Sequence, residues 1–204
     1  MKIVAPEFEI LTPLDAPAIL ARLERAGRTC YKSEGRAEPG SAGPFVRSII
    51  RRGHHSVIEH ESLSLRLVCD RGVSHELVRH RLASFSQEST RYVNYGHGPE
   101  GLVVVRPLFF GEGTEKYALW LRAMEVAEGA YLALLAAGAT PQEARTVLPN
   151  SLKTEIVMTA NLREWRHVLA LRCGAASHPQ MREIMNLVRA RFQDLLPEIF
   201  DDLS

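Results

Sequence analysis

Ser62-Leu63-Ser64-Leu65-Arg66-Leu67-Val68-Cys69 sets Leu63, Leu65, Leu67 and Cys69 against Ser64, Arg66 and Val68. Alternation at period two marks a strand with one buried face, so 62–69 reads as a strand. A second stretch behaves alike at 151–159, where Leu152, Thr154, Ile156 and Met158 alternate with Ser151, Lys153, Glu155 and Val157. Residues 2–10 and 102–105 read as further strands. Elsewhere the apolar period becomes helical: 15–26 with Asp15 as its cap, a stretch opening at Ser41 with Phe45, Ile49 and Ile50 in phase, and 72–82. Residues 114–137 form the longest helix, ending near Gly138. A short helix runs from Pro141 to before Pro149, and 161–173 and 179–196 close the chain, with Pro179 suited to a first turn. Gly and Pro mark 39–44 and 96–101 as loops. Strands and helices are interspersed without regular βαβ spacing. The expected fold is therefore α+β, a mostly antiparallel sheet flanked by helices, in a single domain over 1–204.

Composition sets the outer bounds. The chain has 204 residues, 46% hydrophobic and 24% charged, enough apolar matter to bury a core. No apolar run approaches the ~20 residues of a membrane span. The opening Met1-Lys2-Ile3-Val4-Ala5-Pro6-Glu7 meets a proline and a carboxylate too early for a secretory apolar stretch. Cys30, Cys69 and Cys173 are odd in number and widely spaced, which gives neither a disulfide framework nor a zinc knuckle. The expectation is a soluble, cytoplasmic protein without a membrane partner. A net charge of +1 argues against a bulk nucleic-acid binder. The 21 Arg greatly outnumber the 4 Lys. Genomic base composition produces such a bias, and so does a need for planar forks that grip phosphate, so the positions of the arginines decide.

Several catalytic patterns fail on spacing. His75-Glu76-Leu77-Val78-Arg79-His80 resembles a zinc helix, but its histidines stand five apart, about 140° around a helix, and cannot share a face. His55 and His60 have the same spacing. No nucleophile elbow, dinucleotide glycine fingerprint or phosphate loop is present, so no metal is expected and any nucleotide must be held by side chains and isolated amides.

What remains is Arg79-His80-Arg81-Leu82-Ala83-Ser84-Phe85-Ser86-Gln87-Glu88-Ser89-Thr90-Arg91-Tyr92. Three arginines, a histidine and five hydroxyl or amide side chains interleave with two aromatics, a composition that supplies donors to phosphate and flat faces to a ring. By composition alone the stretch also fits a solvated helix end followed by a polar turn, or a strip that binds RNA.

The order of its residues narrows this. Arg79-His80-Arg81, then seven residues, then Ser89 resembles the Arg-His-Arg-x7-Ser signature of the flavin-dependent thymidylate synthases, the ThyX family. Gly53-His54-His55-Ser56-Val57-Ile58-Glu59-His60 resembles that family's His-x-[Ser/Thr]-x-x-Glu-His segment. Ala144-Arg145-Thr146-Val147-Leu148-Pro149, Asn161-Leu162-Arg163, Leu171-Arg172 and Ser177-His178-Pro179-Gln180 follow in the family's order, so the likeness spans about residues 53 to 180.

The resemblance implies a ThyX-like fold and reductive methylation of dUMP to dTMP, with 5,10-methylenetetrahydrofolate giving the carbon and FAD relaying hydride from NADPH. It implies that Arg172 favours ionisation of the uracil ring and that His54, or His55 if the alignment slips by one, lies on the folate route. Ser56, Arg79, His80, Arg81, Gln87, Asn161, Arg163 and His167 match flavin-contacting positions. Glu76, Leu77, Val78, Arg79, Gln87, Glu88, Ser89, Thr90, Arg91, Arg145 and Arg172 match the dUMP set. Ser89 is expected to bind substrate rather than attack it, and no cysteine stands in a motif. Glu76, Gln87 and His167 depart from the commoner family residues. The resemblance further implies a homotetramer whose sites are shared, the 54–60 segment and the 87–91 loop serving a neighbouring subunit.

Overall fold

The computed structural model describes residues 1–97 and 101–203; residues 98–100 of the expected 96–101 loop lie outside the described residues. The chain separates into two compact units. The first gathers residues 1–8, 66–80 and 85–157, and the second gathers 9–65, 81–84 and 158–204.

Where one strand was expected over 2–10 there are two, β1 (Lys2–Val4) and β2 (Glu7–Ile10). The break falls at Ala5-Pro6, because proline has no N–H to give a ladder. β1 pairs with the strand Val103–Val105, Lys2 opposite Val103 and Val4 opposite Val105, and this pair is parallel. It departs from the expected antiparallel pairing. β2, β3 (Ser62–Asp70), a strand at Ala83–Gln87 (β4) and one at Lys153–Asn161 (β6, Val103–Val105 being β5) form a four-stranded sheet in the order β2-β3-β6-β4. As β3 advances from Ser64 to Arg66, its side-chain partner on β6 steps back from Thr159 (2.8 Å) to Glu155 (2.8 Å), so the two run antiparallel. Leu63, Leu65 and Leu67 are buried, as are Thr154, Ile156, Met158 and Ala160 of β6, which is the face that period two predicts.

Helix boundaries follow their caps. α1 (Ala16–Tyr31) starts where Asp15 Oδ1 accepts from the Ala18 amide at 3.0 Å, and it outruns the expected end by five residues. α2 (Ala42–Arg51) is followed by Gly53, whose φ of 74° suits glycine in the turn into a 3-10 stretch over His55–His60. The helix expected over 72–82 stops much sooner. α3 (Arg71–Leu77), capped by Asp70, gives way to tightening turn bonds from Arg79 N to Glu76 O and His80 N to Leu77 O. β4 then claims Ala83 onward, so Arg79-His80-Arg81 lies in a turn and not on a helix.

In the first unit α4 (Glu115–Ala136) lays Trp120 and Met124 on Leu102, Val104 and Leu152, and the Trp120 indole donates to Ser151 Oγ at 3.1 Å. α5 (Pro141–Ala144) leads into a 3-10 turn over Arg145–Val147. In the second unit α6 (Leu162–Arg172), α7 (Pro179–Leu195) and α8 (Pro197–Phe200) stack Trp165 edge-on to Phe192, centroids 5.5 Å apart, and Phe192 on Phe200. The Trp165 indole donates to Leu63 O at 3.0 Å, which ties α6 to β3. Arg166, nearly buried, donates to both Asp202 oxygens (2.6 and 2.7 Å) and to Ile199 O.

Candidate active site

In the first unit the end of α3, the turn after it and the loop beyond β4 carry most of the residues assigned above to dUMP. Val78 and Arg79 are exposed and Glu76 is half-buried, whereas Leu77 is fully buried and packs the core, leaving only its main chain to offer a ligand. His80 is 5% exposed. The Gln87 amide does not face outward: its Nε2 donates to Ser74 Oγ (2.8 Å) and Thr154 Oγ1 (3.2 Å). An amide can do this where a carboxylate, an acceptor only, could not.

Beyond Gln87 the chain leaves the sheet. The Glu88 amide donates to Glu155 O at 2.8 Å, and from Ser89 to Asn94 the backbone turns on itself, with Tyr92 N and Val93 N both bonded to Ser89 O. Ser89 Oγ accepts from the Arg91 amide (3.3 Å), Thr90 is buried, and Arg145 Nη1 donates to Thr90 Oγ1 at 3.4 Å. Arg145, Thr90, Arg91 and Ser89 are therefore drawn to one loop although 55 residues separate the first two. Arg91 is exposed, its guanidinium 5.5 Å from the Tyr92 ring centroid. Two outward cations beside hydroxyls and turned amides are suited to a phosphate.

In the second unit a cavity of about 520 Å³ is lined by Glu59, Leu82, Asn161, Arg163, Glu164 and His167. Three residues matched to flavin contacts thus share one hollow. Asn161 ends β6 and caps α6, its Oδ1 accepting from the Glu164 amide at 2.8 Å, which places Arg163 and His167 one turn apart on the exposed side of α6. Arg163 donates to Glu59 Oε1 at 2.6 Å. Glu59, Leu82 and Glu164 were not among the expected contacts, although Glu59 stands within the His-x-[Ser/Thr]-x-x-Glu-His pattern itself. Ser56 is exposed in the 3-10 stretch and Arg81 is exposed beside Leu82, neither lining this cavity. The volume lies within the usual range of small-molecule sites; its amide, guanidinium and imidazole suit phosphate or hydroxyl oxygens of a flavin, and its two carboxylates, Glu59 and Glu164, suit hydroxyl donors such as those of the ribityl chain.

The two neighbouring histidines differ. His55 Nε2 lies 3.3 Å from Ile50 O, tethered to the end of α2, while exposed His54 is bonded through Nδ1 to the Tyr31 hydroxyl at 2.9 Å. Arg172 is half-buried at the last position of α6. The thiols are poor nucleophiles where they are shielded: burial pushes Cys69 up to about 12, and burial also raises Cys173.

The first unit thus carries an arginine-rich loop with buried and exposed hydroxyls, and the second a polar hollow that mixes donors with carboxylates. A family described as thymidylate synthase complementing protein matches residues 15–198. Flavin-dependent thymidylate synthases of Mycolicibacterium gilvum and Mycobacterium sp. strain JLS are 37% and 38% identical to the chain, over 98% and 93% of it and 84% and 82% of their own lengths. The UMP/dUMP methylase PolB of Streptomyces cacaoi, solved with 5-Br dUMP, superposes with a TM-score of 0.81 at 26% identity, covering 98% of this chain and 96% of its own. The chain belongs to the flavin-dependent thymidylate synthase family.

Proposed function

We propose that this chain methylates dUMP reductively to dTMP, drawing the carbon from 5,10-methylenetetrahydrofolate and the hydride from NADPH. Membership of the family over residues 15–198 carries this reading. FAD, when bound, supplies hydride transfer, and the chain's own groups position the partners. Arg91 and Arg145, with Ser89 and the amides around Thr90, hold the dUMP phosphate; Arg79 and the end of α3 at Glu76–Val78 close around the nucleotide. Arg172 faces the uracil, where a fixed cation stabilises charge developing on the ring. Asn161, Arg163 and His167 hold the flavin together with Ser56, Arg79, His80, Arg81 and Gln87. His54, the more exposed of the two histidines, serves the folate side.

Burial of Cys69 and Cys173, which raises both thiols, speaks against a cysteine adduct at those two positions. Both units act as one catalytic domain over 1–204, with the helices flanking the sheet as in the family fold. Four copies assemble and share their sites in a cytoplasmic enzyme; size-exclusion with light scattering should then return a mass near four times 22.8 kDa. Among the described residues no helix is long and apolar enough to cross a membrane. The test is release of tritium from dUMP labelled at ring carbon 5. Folate-dependent release with yellow, flavin-bearing protein supports the proposal; NADPH oxidation without release refutes methylation. Because PolB is named for both UMP and dUMP, UMP belongs in the same assay.

A further inference from the structure

Glu88 was matched to the substrate set, yet both of its carboxylate oxygens are engaged within the protein. Oε1 accepts from the Tyr95 hydroxyl at 2.7 Å, and Oε2 accepts from Lys153 Nζ at 3.0 Å. The first of these bonds joins residues 88 and 95, the two ends of the six-residue loop that carries Ser89, Thr90 and Arg91. The second fastens that closure to β6. Lys153 also donates to Glu155 Oε1 at 2.8 Å, and Glu155 in turn accepts from Arg66 on β3 at 2.6 Å, so the chain of charges ends in the sheet. Lys153 and Glu88 are only 18% and 15% exposed in their side chains, which shields the contact from solvent screening. Tyr95 is held at its other end as well, its amide donating to the Tyr131 hydroxyl at 3.3 Å and its ring tilted against Tyr131, centroids 5.9 Å apart.

We propose that Glu88, Tyr95 and Lys153 form a clasp that presets the 89–94 loop for the dUMP phosphate. They are positioning residues: Glu88 acts through Ser89 and Arg91 and does not touch the nucleotide. This inference rests on the reading of the loop as the phosphate site. A loop closed in advance avoids ordering its backbone on binding, so the clasp appears in substrate affinity rather than in the chemical step.

The test compares Tyr95→Phe, Lys153→Met, Lys153→Arg and Arg91→Ala in the flavin-loaded enzyme, measuring KM for dUMP, kcat and the flavin spectrum. Tyr95→Phe keeps the ring and removes only the hydroxyl, so it should fold. The clasp predicts that Tyr95→Phe and Lys153→Met each raise KM about tenfold, as expected for losing a hydrogen bond to a charged group. It further predicts kcat within about twofold of the parent, an unchanged flavin spectrum, and recovery in Lys153→Arg. Parental KM in Tyr95→Phe and Lys153→Met, with affinity lost in Arg91→Ala, overturns the clasp and leaves the phosphate site standing. Parental KM in Arg91→Ala as well overturns the loop assignment, and the clasp with it.

Discussion

Ser89 shows how far a single residue can be read. It follows β4, its hydroxyl accepts the Arg91 amide, and among the described residues no base bonds that hydroxyl to make it a nucleophile. Ser89→Ala should therefore raise KM for dUMP about tenfold, the cost of one hydrogen bond to a charged group, while turnover at saturation persists. Complete loss of turnover with FAD and dUMP both still bound would reverse that assignment. The histidine pair separates in the same way: His54→Ala, which removes an exposed ring bonded to the Tyr31 hydroxyl, should lower turnover more than stability, and His55→Ala should lower the melting temperature, since it is the His55 ring that meets the α2 end at Ile50 O. Thermal scans alongside rates decide between them. The order Arg79-His80-Arg81 to Ser89 was legible because it is local. Lys153, Tyr95 and Glu59 were not, because Glu88 finds Lys153 across 65 residues and Arg163 finds Glu59 across 104. Spacing along the chain holds no record of such pairs.

Among the elements, the junction of β6 and α6 couples stability to the site. Asn161 caps the helix with its Oδ1 and lines the second-unit cavity. Asn161→Ala should cost about 1 kcal/mol, the usual price of an N-cap, and weaken flavin retention together with it. Asn161→Asp keeps an equally good cap, so the melting temperature should recover. Its added negative charge beside Glu59 and Glu164 should still loosen a phosphorylated cofactor. Flavin remaining bound to the aspartate variant as tightly as to the parent would show that this cavity does not hold the phosphates. The strands read at 62–69 and 151–159 were plain in the sequence from their alternation; they run over 62–70 and 153–161, and the alternation of burial holds through β6 but gives way at the end of β3, where Val68 and Asp70 are buried too. The short β4 was hidden: Ala83-Ser84-Phe85-Ser86-Gln87 has one strong apolar side chain, and its strand character comes from pairing with β6. The helical reading ran past Leu77 because residues 78–82 form turns that lead into β4, which their local preference does not reveal.

At the level of the whole molecule, pH reaches both units through charges that pin distant segments. In the second unit the hydrogen bond from Arg166 holds Asp202 below its ordinary 3.8, and in the first Lys153, with Arg66, holds Glu155 below 4.5. Burial works to lower Lys153, but its bonds to Glu155 and Glu88 prevail and raise it above 10.5. A carboxylate whose folded value is depressed gives its full stabilisation above the unfolded value, and that contribution disappears as pH falls through the folded one. The raised lysine gives its share below 10.5 and loses it as pH climbs past the folded value. Stability should consequently be flat across neutrality, fall below about pH 4 as the unfolded chain takes up more protons, and fall again above about 10.5. Arg166→Met removes the cation that depresses Asp202 and leaves the Ile199 carbonyl without that donor. Chemical denaturation of this variant should show lower stability at pH 7 and a shallower decline between pH 5 and 2, because Asp202 then titrates near its ordinary value in both states. An acid limb as steep as the parent's would mean that other carboxylates carry the acid sensitivity and that the link between α6 and the chain's end is not what neutral pH protects.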